Sequence, residues 1–247
     1  MRLDQETVQW ALRRKISRET LRKMSVGGEI TSYGDGNKQT IIFNYLDAHG
    51  EIVNWKARSL ADKVFRQKSG GKQQFYNQAA VAAGPLDEIY ITEGEMDALA
   101  LIEAGVPPHG VLSVVGGAPA NKTENPAEAK RYGYVADALK EFLLKCKRII
   151  LVTDNDEPGR HLRADLAHVI GAAQCFWVDW PQGIKDANDA LMQWGAEGLS
   201  MYLRENPAPY PIEGIYRLSE IPEPPALTLW QGWPEWESRL MLSPSHL

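Results

Sequence analysis

Several carboxylates in this chain stand at intervals that suit cation binding. Asp154 and Asp156 lie two residues apart in LVTDNDEPG (151–159), so in extended chain both side chains leave the same face. Glu93 directly follows the apolar run EIYIT (88–92), and Asp97 lies four residues on, one helical turn away. Asp186 sits beside Lys185 in KDAN (185–188). Acids packed together repel, and their pKa values rise unless cations neutralise them. Hard oxygen donors so arranged select Mg2+ or Mn2+, and the matching chemistry is phosphoryl or nucleotidyl transfer. Glu93 stands apart from the others at a strand–helix junction, placed to act as a base rather than a ligand. Each acid taken alone also fits plain helix capping, which the helix dipole favours. Three such signals, each following an apolar run, argue for one shared site.

The elements that must position these acids are legible from residue 85 onward. EIYIT (88–92), GVLSVV (110–115), RIILVT (148–153) and QCFWVDW (174–180) read as strands. Helical patterns follow them through MDALALIEA, RYGYVADALKEFLLK, GRHLRADLAHVIG and NDALMQWG. Strands alternating with helices mean βαβ units and a mostly parallel sheet. Ligands gather at the carboxyl ends of such strands, where every one of these acids falls. Gly94 is expected to turn the chain into its helix, and Pro158 suits a first helical turn. Gly116 and Gly117 read equally as a ligand-approach turn or an ordinary one.

Upstream, WALRRKISRETLRKM (10–24) predicts a helical hairpin with Ser17 capping its second helix. Residues 40–60 predict two strands about a turn at Asp47, His49 and Gly50, and 69–77 (SGGKQQFYN) predicts a loop. Beyond residue 205 the periodicity fades into a proline-rich stretch read as an extended linker. Domains are therefore expected over 1–84, 85–205 and 206–247.

The net charge of −5 argues mildly against nucleic acid, but its distribution argues the other way. KARSLADKVFRQKSGGK (56–72) is strongly basic, whereas the acids of interest lie downstream. Metal ions held between protein carboxylates and a polyphosphate suit that division. Cys146 and Cys175 lie in apolar surroundings and are expected to be buried and unreactive; no histidine or cysteine spacing suits structural zinc. No apolar run approaches the roughly 20 residues of a membrane span, and the amino terminus lacks a signal-peptide core. The expected compartment is the cytoplasm.

TEGEMDAL (92–99), LVTDNDEPGR (151–160) and KDANDAL (185–191) resemble the three signatures of a Toprim domain, the fold shared by topoisomerases and bacterial-type primases. The match is closest to the primase half of bifunctional phage primase–helicases and their relative Twinkle, with KDAN the most discriminating piece. ISRETLRK (16–23) is similar to the start of that family's polymerase domain, and 41–65 to its basic subdomain. GIYRLSEIPEPPALTLWQGWPEW (214–236) resembles the linker toward a hexameric helicase, with Trp230, Trp233 and Trp236 expected to pack on that neighbour or stack on bases.

The resemblance implies a Toprim α/β fold preceded by a smaller mixed α+β basic subdomain. It implies synthesis of short RNA primers on single-stranded DNA from ribonucleoside triphosphates, with Mg2+ or Mn2+ as cofactor. Glu93, Asp154, Asp156 and Asp186 are then the metal-associated acids, with Glu93 also the candidate base. Asp97 binds metal indirectly, orients a cation, or is merely structural. Lys56, Arg58 and Lys63 supply countercharge to triphosphate or template, Lys56 and Lys63 at the reacting centre. Arg160 and Lys185 pair with the acids or touch phosphate. A replicative helicase domain is the expected partner, fused or separate, and this piece alone is expected to be monomeric. The chain departs from phage members in having no residues for their zinc module, and it contains no GxxxxGK[ST] phosphate loop. A Toprim nuclease or topoisomerase activity, and a non-catalytic DNA-binding module, are the alternatives.

Overall fold

Two sheets of opposite character carry the structure, a computed structural model that describes residues 2–34 and 36–212. The first forms from short-range antiparallel pairings, the second from βαβ crossovers, as the sequence pattern divides them. The expected helical hairpin leads in. Helix α1 (Gln5–Arg13) begins earlier than the expected start because Asp4 caps it, accepting the Thr7 N–H at 2.9 Å. Helix α2 (Arg18–Lys23) is capped by Ser17, which accepts the Thr20 N–H at 3.1 Å.

Strands β1 (Val26–Tyr33), β2 (Gly36–Leu46), β3 (Ile52–Ser59) and β4 (Phe65–Gln67) follow in simple antiparallel order. The β2–β3 turn is set by the Asp47 carboxylate, which accepts the N–H groups of His49 and Glu51 at 2.9 and 3.0 Å. Strands β1 and β4 escape a sequence reading: one opens on a glycine pair and the other is a three-residue edge. Residues 69–77 are less loop-like than expected. Phe75 and Tyr76 are fully buried, and Tyr76 exchanges backbone hydrogen bonds with Ser113 at 2.9 and 3.3 Å. Aromatic area outweighs a glycine-rich start, because a buried ring stabilises by about 1.5–3 kcal/mol.

After α3 (Gln78–Ala82) come β5 (Glu88–Thr92), α4 (Glu95–Glu103), β6 (Val111–Ser113), α5 (Gly133–Glu141), β7 (Arg148–Val152), α6 (Glu157–Ile170), β8 (Cys175–Trp177), α7 (Ala187–Glu205) and β9 (Ala208–Pro209). The sheet order is β6-β5-β7-β8-β9, parallel except for β9. All but the first residue of β5 and of β7 are buried, as for central strands covered on both faces. This is the mostly parallel, helix-flanked sheet expected, preceded by the smaller basic sheet. Strand β9 falls inside the stretch read as linker; a proline is tolerated there because β9 is an edge. The rest of that stretch from 213 on, including its tryptophans, lies outside the described residues. Cys146 and Cys175 are buried and free, and burial pushes their thiols up to about 11 and about 12. No helix among the described residues is long and apolar enough to cross a membrane.

Candidate active site

Register brings the first two acids together. Strands β5 and β7 are neighbours with Thr92 opposite Val152, so the residues just past each strand emerge on one rim. The Asp154 backbone N–H donates to Glu93 Oε2 at 3.3 Å. Helix α6 begins immediately after, with Asp156 as its N-cap accepting the Gly159 N–H at 2.9 Å. The glycine of EPG is a space requirement: a Cβ at 159 would stand 2.2 Å from the Asp154 carbonyl oxygen. Gly94 also differs from expectation. Its backbone is extended (φ −123°), which any residue adopts, but a Cβ there would come within 2.9 Å of Asp97 Oδ2.

The loop before α7 supplies the third group. Asn155 N–H donates to the Lys185 carbonyl at 2.8 Å, which fastens this loop to the rim. Lys185 Nζ then lies 2.5 Å from Asp154 Oδ2 and 3.7 Å from Asp156 Oδ2. Asp186 caps α7, accepting the Asp189 N–H at 2.7 Å. Asp97 accepts the Asn188 N–H at 3.0 Å, so it seats the start of α7 against α4.

The electrostatics show too many acids for the cations present. Burial and the charges of Asp154 and Asp156 raise the Glu93 carboxyl to about 7, although backbone N–H groups of Asp154 and Ala118 oppose this. Asp97 is raised by burial and by Asp186 and Asp154. Burial raises Asp154 as well; Lys185 opposes, while Asp186 and Asp156 reinforce. Lys185, which burial alone would lower, is raised by its pairing with Asp154 and by the other two acids. One ammonium leaves this cluster short of positive charge.

A cleft of ≈ 790 Å³ joins this rim to the antiparallel sheet. Of the residues singled out from sequence, Lys56, Arg58, Lys63, Glu93, Asp97, Asp154, Lys185 and Asp186 line it, with Gly116 and Gly117. Asp156 and Arg160 are not among its lining residues; Asp156 is held in its cap, and Arg160 is exposed on α6. Two further lining residues that engage the site, Glu95 and Arg14, were not foreseen. Glu95 is 3% exposed, lies 3.0 Å from Lys56 Nζ through both carboxylate oxygens, and accepts the Tyr45 hydroxyl at 2.5 Å. Arg14 reaches from α1 to Asn188 Oδ1 at 3.0 Å. The signals for these were the middle acid of EGEMD (93–97) and the Arg13–Arg14 pair.

Arg58 is nearly buried, its guanidinium 4.9 Å from the Trp10 ring that also carries Arg14 at 4.6 Å. Its Nε has no hydrogen-bond partner among the described residues. Burial and Arg14 lower its pKa, opposed by Asp97, Glu95 and Asp186. Lys63 and Phe65 are exposed, and Phe65 lies 5.2 Å from Lys56 Nζ.

The donor set fits a hard divalent cation in type and in charge, because raised carboxyl pKa values signal charge that the protein's own cations leave uncompensated. Among the described residues, though, no three acidic, histidine or cysteine side chains are gathered closely enough to form a metal-binding group. Lys185 stands between Asp154 and Asp156, and the caps of α6 and α7 hold Asp156 and Asp186.

The Toprim-like family matches residues 90–191. The chain is 33% identical over 217 residues to the Twinkle homolog protein (chloroplastic/mitochondrial) of Arabidopsis thaliana, covering 84% of this chain and 29% of that one. It is 30% identical over 176 residues to the DNA helicase/primase of Enterobacteria phage T3, covering 71% and 28%. It thus spans less than a third of these curated relatives. Among solved structures it is similar to primase domains of bacteriophage T7 gp4 bound to an RNA/DNA hybrid and dTTP beside the lagging-strand DNA polymerase. That likeness has a TM-score of 0.62 at 26% identity, over 80% of this chain and 90% of that one.

Proposed function

We propose, from the premise that this chain carries the Toprim-like domain of phage-type primases and Twinkle relatives, that it is a primase. It would join ribonucleotides on a single-stranded DNA template by nucleotidyl transfer. One observation carries the reading: a single cleft places Lys56, Arg58 and Lys63 across from Glu93, Asp154 and Asp186. A nuclease needs the acids, but the basic sheet facing them suits a substrate that brings a triphosphate as well as a strand.

Asp154 and Glu93 would hold Mg2+ or Mn2+, with Asp156 and Asp186 released from their caps or acting from beside it. When bound, the ion stabilises charge on the transferring phosphate and its leaving group. The chain's own residues do the rest. Glu93, which burial and the neighbouring acids raise to about 7 in the metal-free site, would accept the proton of an attacking 3′-hydroxyl. Lys56, steered by Glu95, presents its ammonium at the cleft wall, and Arg58 holds an N–H that has no partner among the described residues. Both serve the triphosphate or the template backbone. Lys185 neutralises Asp154 until a metal contests that place. Asp97 acts by seating α7 and with it Asp186.

Partnership with a replicative helicase, fused or separate, is part of this reading and is supported by the likeness to a helicase/primase. The test is direct. The protein, single-stranded DNA, labelled ribonucleoside triphosphates and Mg2+ or Mn2+ should give short oligoribonucleotides. Shortened DNA would replace this reading with a Toprim nuclease, and bound but unaltered DNA with a non-catalytic module.

A further inference from the structure

Between β6 and α5 the chain runs outside regular helix or strand from Val114 to Ala129, apart from the turn that precedes α5. Connections of this length are uncommon in compact domains and are usually functional. Its first residues reach the acidic rim: Gly116 and Gly117 line the cleft together with Glu93. Gly117 is left-handed (φ +63°), a conformation that a side chain would strain.

The far part of this connection is anchored on α6. Thr123 Oγ1 donates to Asp165 Oδ2 at 2.5 Å, and the Tyr132 hydroxyl donates to the same oxygen at 2.7 Å. Arg131 closes the connection on itself, donating to the Gly117 carbonyl at 2.8 Å. Asp165 is 1% exposed and Tyr132 is 2% exposed. Burying a carboxylate is costly unless it is hydrogen-bonded, and an apolar residue at 165 would pack against α5 without that cost. What the carboxylate adds is a fixed position for two separate points of one loop. Helix α6 is the same helix whose first turn packs on Asp154.

We infer that Asp165 is a positioning residue: its grip on Thr123 and Tyr132 sets the 116–132 connection, and with it the Gly116–Gly117 turn that lines the cleft beside Glu93. Its consequence for catalysis rests on the nucleotidyl-transfer reading; the mechanical link does not. The loop and both acidic strand ends are then one assembly, organised from α6.

The test uses the whole chain with Thr123→Val and Tyr132→Phe, singly and together, since each removes one hydroxyl without emptying the core. Hydrogen exchange read by mass spectrometry over 116–123, and Mn2+ titration without nucleotide, are the readouts. In the double variant, exchange of 116–123 should quicken and Mn2+ affinity should fall about tenfold, the scale seen when a ligand's supporting partner is lost. Protection of β5 and β7 should not change, and Thr123→Ser should behave as the parent. Exchange that rises equally through α5, α6 and the sheet would reduce Asp165 to a structural role and overturn the inference. So would a quickened loop with unchanged Mn2+ affinity, or no change in the loop at all. Neither readout needs primer synthesis, so they decide this point even where the primase reading fails.

Discussion

The two walls of the cleft handle charge in opposite ways. On the antiparallel sheet, Lys63 stands in water beside exposed Phe65, and Lys56 is met by Glu95. On the parallel sheet, Glu93, Asp97 and Asp154 are withdrawn from water and crowd one another, and all three are raised. An exposed cation costs little while no substrate is bound. A buried acid cluster is destabilising until a cation arrives. The difference fits the proposed reading, in which the acidic rim takes a divalent cation and the basic wall a phosphate-bearing substrate.

Four measurements break or sharpen that contrast. The largest effect belongs to the acids: Asp154→Ala and Glu93→Gln should each lower the rate of primer synthesis by about 10²–10⁴-fold with the fold intact. Asp156→Ala should also abolish most activity, and by losing a helix cap it should cost about 1 kcal/mol of stability. Wild-type rates in these variants would remove the acids from the chemistry.

Next comes the buried pair that Lys56 of the basic wall makes with Glu95 of α4. Glu95→Ala leaves Lys56 without its carboxylate and the Tyr45 hydroxyl without its acceptor. It should destabilise by about 3–5 kcal/mol in chemical unfolding, while Glu95→Gln, which keeps an acceptor, should cost less. Equal stabilities would mean that the pair contributes nothing.

Third is the pH dependence without metal. The Glu93 pKa rises from 4.5 to about 7 on folding, so the folded state binds the proton more tightly. Its contribution to stability is complete below pH 4.5 and is lost as pH climbs through 7. The loss, on the order of 3 kcal/mol at most at 1.36 kcal/mol per pKa unit, should vanish in Glu93→Gln. It should shrink with Mn2+ present. A slope unchanged by Glu93→Gln would sink this assignment.

The smallest effect is expected at the exposed cation. Lys63→Ala should weaken single-stranded DNA or triphosphate binding modestly and lower the salt slope by about 1, the value for one lost phosphate contact. Lys56→Ala should act more strongly, because its ammonium is held in place. Identical slopes for both would make the two lysines equivalent despite their different burial.

Much of this was legible beforehand, for identifiable reasons. Strands β5 and β7 are continuous apolar runs and the acids directly follow them, so their place on the rim could be read from periodicity. Ser17 and Asp47 announced a cap and a turn because each acts within a few residues of itself. Glu95 was passed over because its partners, Lys56 and Tyr45, come from another sheet and leave no local trace. The helix-capping alternative also proved part of the answer for Asp156 and Asp186, which cap α6 and α7 while remaining near Lys185 or in the cleft.

The chain's letters by themselves determined which residues end buried strands, which helices follow, and that acids of three separate segments would meet at one edge, since parallel strands send their carboxyl ends the same way. Only the tertiary structure decided how those acids are used. Lys185 neutralises one, two helix termini engage others, Asn188 takes Asp97, and the Asp154 backbone N–H takes Glu93. Local pattern follows from dihedral preference and apolar period, which act over a few residues. A carboxylate's partner and pKa follow from distance and burial, which exist only once remote segments are packed together.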